Sequence, residues 1–176
     1  MSKTINLSTP LSEADIRNLN AGDIINLSGI IYTGRDAAHK RLCALLDEKQ
    51  ALPVDLNGQL IYFVGPCPAP PGRVIGSAGP TTSGRMDAYS PRLIKECSLR
   101  GMIGKGDRNQ AVKQAMQEHG AVYFAATGGA GALIARSIIK AEVVAFADLG
   151  PEAIYKLEVK DLPLVVAIDA KGESLY

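Results

Sequence analysis

The sequence predicts an α/β fold built as one compact domain, and three observations carry that expectation. Short β-rich runs alternate with segments whose apolar residues recur at helical spacing, the pattern of strands and helices exchanged along one sheet. The chain has 176 residues, 47% of them apolar, which suits one domain with a substantial core. No repeat, low-complexity tract or long linker divides the sequence, so residues 1–176 read as a single domain.

Taken in order, Ser12-Glu-Ala-Asp15 offers a capped helix start. Gly22–Gly34, GDIINLSGIIYTG, is a β-branched run that predicts a strand or hairpin. The period then changes. From Asp36 to about Ala51, residues Ala38, Leu42, Leu45 and Leu46 share one helical face, which places Arg35 at a strand-to-helix junction. Leu60–Gly65, LIYFVG, predicts a strand leading into the proline-rich turn Pro66–Pro71, and RVIGSAG after it is a short strand candidate. That candidate runs into GSAGPTTSGRMD, Gly76–Asp87, which packs three glycines, a proline, four hydroxyls and an arginine into twelve residues. Glycines let a backbone approach a ligand while hydroxyls and a guanidinium supply donors, so this loop reads as a cradle for an anion.

Ser90-Pro91 begins a helix with Leu93, Ile94 and Cys97 facing inward and Gly101 as its stop. GMIGKGD is a brief strand or turn. Asp107 or Asn109 caps a helix carrying Val112, Ala115, Met116 and His119, closed by Gly120. The strand AVYFAAT, the turn TGGAG, the helix ALIARSIIK, the strand EVVAFAD and a last strand LPLVVAID complete the expected alternation.

Nineteen Lys plus Arg against eighteen Asp plus Glu leave a net charge of +1 without blocks of one sign, so no electrostatic case exists for nucleic acid or an anionic membrane. No apolar run approaches a membrane span and the start MSKTINLSTP lacks a signal-peptide core, which makes the cytoplasm the expected location. Cys43, Cys67 and Cys97 are odd in number and widely spaced, arguing for free thiols. Cys43 and Cys97 fall in helical patterns as small core residues, and Cys67 lies in the turn-rich GPCPAPPG. His39 and His119 read as structural or solvent-facing, with no third partner at zinc-ligand spacing. TGGAG follows a strand and opens a helix, with Asp148 ending the next strand, yet Ile134 stands where a dinucleotide loop needs a small residue. Gly104-Lys105 is likewise no phosphate loop, because Gly106 replaces the required Ser or Thr.

What remains is a set of junction residues: Arg35, Thr81, Arg85 and Lys105. Ligands of α/β folds gather at strand ends, and two arginines with a lysine around a glycine-rich loop suit a small dicarboxylate. Spacing alone leaves each charge equally compatible with a solvated surface.

The segments GPTTSGRMD, YTGRDAAHKR and MIGKGD closely resemble the β subunit, or carboxy-terminal domain, of class I fumarate hydratase and L-tartrate dehydratase, in an agreement running from roughly Gly22 to the end. The resemblance implies a swivelling β/β/α fold and an active site shared with a larger α part, which carries a 4Fe-4S cluster on its own cysteines. It therefore implies that this chain holds no metal and acts as a separate β subunit in a hetero-oligomer. The implied reaction is reversible hydration of fumarate to L-malate, with conversion of tartrate to oxaloacetate as the alternative. Residue by residue, the resemblance gives Arg35, Arg85 and Lys105 the substrate's carboxylates and Thr81 the role of proposed base. Asp36, Ser83 and Asp87 would order the loop, and Cys67 receives no role. A non-catalytic nucleotide- or anion-binding module using TGGAG and the opening loop is the rival from another class.

Overall fold

The computed structural model describes residues 4–126 and 131–176. Its first surprise is a strand at the start: β1, Thr4–Ser8, pairs in parallel with the first half of β2, Ile24–Thr33. Between them lies α1, Glu13–Asn18, opened by the expected capping box, in which Ser12 Oγ accepts from the Asp15 amide at 3.0 Å and Asp15 Oδ2 accepts from the Ser12 amide at 2.9 Å. Helix α2, Asp36–Asp47, follows β2 after Gly34 and Arg35, and β3 spans Leu60–Tyr62. No strand forms at RVIGSAG; its backbone instead bonds back to the proline-rich turn, Cys67 to Ser77 at 2.9 Å and Gly76 to Cys67 at 3.1 Å.

After a short 3-10 turn at Ser83–Met86 comes α3, Ser90–Cys97, with proline in its first turn. It stops at Ser98, which takes a left-handed conformation, rather than at Gly101, which begins β4, Gly101–Gly104. Asn109, not Asp107, caps α4, Gln110–His119, accepting from the Val112 amide at 3.0 Å, and Gly120 ends it at φ +78°. Strand β5 is Val122–Ala126. The helix expected from ALIARSIIK is α5, Gly131–Arg136, and its last residues belong to β6, Ile138–Ala145. The final strand, β7, is Ile154–Ile168, far longer than the expected LPLVVAID and preceded by a 3-10 segment at Ala147–Glu152.

The seven strands form one sheet in the order β1-β2-β3-β4-β5-β7-β6, and β7 also pairs with β2. That extra pairing closes β2, β3, β4, β5 and β7 into a ring, with β2 to β5 parallel and β7 antiparallel to both its neighbours in the ring. Period-two alternation sorts the side chains. Leu60, Tyr62, Ile103, Val122 and Phe124 point inward against Ile25, Leu27, Leu157 and Leu164 of β2 and β7. Ile61, Phe63, Met102 and Tyr123 point outward against Ala38, Leu42, Leu93, Ile94, Val112 and Met116 of α2, α3 and α4. Two β walls and one helical layer result, the expected α/β class in β/β/α form. Gly29 is indispensable where β2 bulges: its φ is +114°, and a Cβ there would fall 2.3 Å from Thr9 Oγ1. Among the described residues, no helix is long and apolar enough to cross a membrane.

Candidate functional site

Because β2, β3 and β4 are parallel neighbours, their carboxy-terminal ends emerge side by side. Arg35 follows β2, Phe63–Gly65 follow β3 and Lys105 follows β4. The glycine-rich loop is laid between the last two ends. The Thr81 amide donates to the Phe63 carbonyl at 2.7 Å, the Lys105 amide to the Thr81 carbonyl at 3.4 Å, and the Ser83 amide to the Lys105 carbonyl at 2.9 Å. Thr81 thus has its backbone held on both sides while its side chain stays half-buried.

Two buried anchors fix the rest of the loop. Ser83 Oγ lies 2.7 Å from the Tyr123 hydroxyl, which donates to the Gly106 carbonyl at 2.7 Å, and Gly104 makes room for it: a Cβ at 104 would fall 1.9 Å from Ser83 Oγ. At the loop's far end Arg108, with a fully buried side chain, donates through Nε to Asp87 Oδ1 and through Nη2 to Ser90 Oγ, both at 2.7 Å. Its guanidinium sits 5.1 Å from the Phe63 ring centre and 5.0 Å from that of Tyr123, and Asp87 Oδ2 accepts from the Asn109 amide at 2.9 Å. The expectation that Ser83 and Asp87 order the loop fits these bonds. Arg108 escaped the sequence reading, because an arginine beside GKGD looks like one more surface charge.

Arg85 Nε donates to Asp36 Oδ2 at 3.0 Å, tying the loop to the first turn of α2; both side chains are partly exposed, so this pair contributes little to stability. Arg35 occupies the N-cap position of α2 without capping it, and its side chain lies along Gly65, where a Cβ would be 3.1 Å from Arg35 Cδ and Nη1. Three buried polar atoms in this turn lack a partner: Arg35 Nε, Asp36 Oδ1 and His39 Nε2. Among the described residues neither Arg35 nor Lys105 has a carboxylate partner. Arg35 and Lys105 therefore follow the ends of β2 and β4, and Thr81 and Arg85 lie on the loop laid against those ends, with two cations unpaired and one donor buried unsatisfied. A negatively charged ligand is what such donors lack.

His39 is buried rather than solvent-facing, with Nδ1 2.8 Å from the Arg35 carbonyl and its ring against Phe63 and Tyr89. Since a carbonyl only accepts, Nδ1 carries the proton and the neutral imidazole holds the Arg35 backbone. Burial depresses its pKa from 6.5 to about 4, partly opposed by that hydrogen bond. Between these values the unfolded chain binds the extra proton, so the contribution of His39 is complete above pH 6.5 and is lost as pH falls toward 4. Denaturation across that window should show a loss on the order of 3 kcal/mol that His39→Gln largely removes; an unchanged slope in the variant would assign the acid sensitivity elsewhere.

The three thiols do not make a metal centre. Cys43 on α2 and Cys97 on α3 are partly buried, which pushes both thiol pKa values up, and Cys67 is exposed in the proline-rich turn. Among the described residues no group of three His, Cys, Asp or Glu side chains is placed to hold a metal ion, so these residues do not fit an iron–sulfur cluster. Of TGGAG, residues 127–130 lie outside the described residues. Asp148, the acidic residue a dinucleotide site would use, is instead gripped by both terminal nitrogens of Arg41, at 2.7 and 2.5 Å.

Comparison with known proteins adds an independent line. Residues 1–176 match the family described as Fumarase C-terminus. The chain is 40% identical to a Methanocaldococcus jannaschii protein provisionally named L(+)-tartrate dehydratase subunit beta, covering 94% of this chain and 88% of that one. It is 43% identical to a provisionally named class I fumarate hydratase of Geobacillus stearothermophilus, covering 99% of this chain and 34% of the relative. Identity to the aerobic class I fumarate hydratase of Escherichia coli is 37%, over 98% of this chain and 32% of the enzyme. The chain thus spans about a third of the fumarate hydratases it matches, and most of the subunit-sized relative.

Proposed function

The chain belongs to the fumarase C-terminus family, and on that premise we propose that it is the β subunit of an iron–sulfur-dependent hydro-lyase, a class I fumarate hydratase acting on fumarate and L-malate. Residues 1–176 then serve as one β-type catalytic domain in a hetero-oligomer with an α subunit, in the cytoplasm, where free thiols are stable. Because the described residues offer no ligand set for a 4Fe-4S cluster, we assign that cluster to the α subunit. Tartrate dehydratase is the second reading, favoured by one observation: the relative matched over 88% of its length carries that name.

The observation that supports the site assignment most directly is the buried, unpartnered Nε of Arg35, which follows β2 in the sheet that also carries Lys105 after β4 and the loop of Thr81 bonded to Phe63 and Lys105. Dehydration of a hydroxy dicarboxylate takes a proton from the carbon next to one carboxylate and hydroxide from the neighbouring carbon, giving the alkene and water, and hydration returns both; loss of the proton concentrates negative charge on that carboxylate. Arg35, Arg85 and Lys105 hold the two carboxylates and stabilise the developing charge. Thr81 takes the proton. An alcohol is a poor base alone, and the cations around the loop favour its alkoxide.

The test is co-expression with an α subunit and assay on fumarate, L-malate and both tartrates. Turnover of fumarate and malate by the complex is expected, turnover of tartrate alone selects the second reading, and nucleotide binding with no turnover would replace both by the binding module. In the active complex Arg85→Lys keeps the charge but loses the planar fork and its grip on Asp36, and should lower kcat/KM by about tenfold or more. Wild-type kinetics in that variant would remove Arg85 from the site.

A further inference from the structure

Strand β6 ends the sheet, and none of the backbone hydrogen bonds among the described residues satisfies its outer edge. Such an edge is a template for another strand. Bulges at Ile138/Lys140 and Val143/Ala145 leave one regular run, Lys140-Ala141-Glu142-Val143. Two features make this edge unusual. Across β7, Lys140 stands opposite Glu158 and Glu142 opposite Lys156, yet none of the four closes an ion pair. These four line an open groove of about 650 Å³ with Ile30, Val74 and Ile139. Val74, Ile139 and Val143, exposed by 46%, 46% and 44%, are three of the six large apolar side chains most exposed among the described residues.

The run is also charge-palindromic about Ala141. Two copies laid antiparallel through this edge with Ala141 opposite Ala141 bring Lys140 opposite Glu142 of the second copy, twice by symmetry. Ile139 then meets Val143. The charges continue as an alternating row over four strands, Glu158, Lys140, then Glu142 and Lys156 of the second copy, with no like-charge neighbours. A solvated edge needs charges but not this complementarity.

We propose that β6 is a homotypic docking edge through which two copies of this chain join their sheets antiparallel about Ala141. The contact lies on β6, outside the loops after β2, β3 and β4, and needs no substrate, so it stands or falls separately from the hydro-lyase reading. The test is sedimentation of the full chain through the micromolar range. Wild type should dimerise, while Lys140→Glu and Glu142→Lys, each of which sets like charges opposite one another twice, should weaken the dimer by at least about tenfold. Mixing the two variants makes every cross-pair opposite in sign, so a mixed dimer should reappear; this recovery cannot come from a folding defect. In wild type, the β6 amides should gain exchange protection with concentration. A chain that stays monomeric, reversals that leave the dimer intact, variants that fail to recover on mixing, or β6 amides protected only by added α subunit would each overturn the proposal.

Discussion

In the complex assembled with an α subunit, Thr81→Ala should lower kcat by about a hundredfold or more with KM little changed, because removing a proton acceptor acts on the transition state and not on substrate binding. Thr81→Ser, which keeps the hydroxyl, should retain part of the rate. The backbone argues that the alanine variant keeps its loop: both hydrogen bonds that hold residue 81 use main-chain atoms, at 2.7 and 3.4 Å, and neither involves the side chain. Malate deuterated at the transferred position gives the sharper reading, with a primary isotope effect where proton removal limits turnover. Near-normal kcat and normal exchange of that hydrogen in Thr81→Ala would demote Thr81 to an orienting hydrogen bond, in which case both variants would act mainly on KM.

The largest effect on stability is expected at Arg108. Arg108→Met keeps volume against Phe63 and Tyr123 but strips Asp87 of its buried partner, so it should destabilise the fold by about 3 kcal/mol or more, within the roughly 3–5 kcal/mol of a buried pair broken from one side. Burial pushes the Arg108 pKa down, and the Asp87 bond works against that shift, so the pair is held together by geometry rather than by solvent. Urea denaturation of Arg108→Met, Asp87→Asn and the double variant would measure it. Additive losses would show that the two side chains do not act as a pair.

The junction positions of Arg35 and Lys105 were legible because each stands where periodicity changes. Arg35 separates a β-branched run from a helical stripe, and Lys105 ends GMIG; both positions emerged as strand ends. The side-by-side order of those strand ends was not legible, since it depends on β2, β3 and β4 lying parallel and adjacent, which pairing partners far apart in sequence decide. The missed strands have similar causes. TINLS alternates over only five residues and is specified by β2 beside it. β7 hides behind Lys160-Asp161 and Pro163, which sit between its β6 partners, ending at Val159, and its β5 partners, beginning at Leu164. RVIGSAG has β-branched residues but spends its backbone bonds on a turn, and SIIK fits either period until β7 takes it into the sheet. Arg108 was missed, and the structural reading of His39 could not be separated from the solvent-facing one, because burial of a cationic or ionisable side chain follows from what surrounds it, not from its neighbours in sequence.

The closure of the sheet by β7 has a temporal consequence. β2 begins at residue 24 and its antiparallel partner at 154, so during synthesis most of the chain is made before the ring can shut. Until then the parallel wall that carries the loops after β2, β3 and β4 has an unpaired margin and an uncovered apolar interior, the condition in which nascent chains recruit chaperones or aggregate. Contacts of such long sequence separation also make ring closure slow relative to helix formation. The arrival of one strand at the ribosome exit therefore converts an adhesive intermediate into a closed sheet.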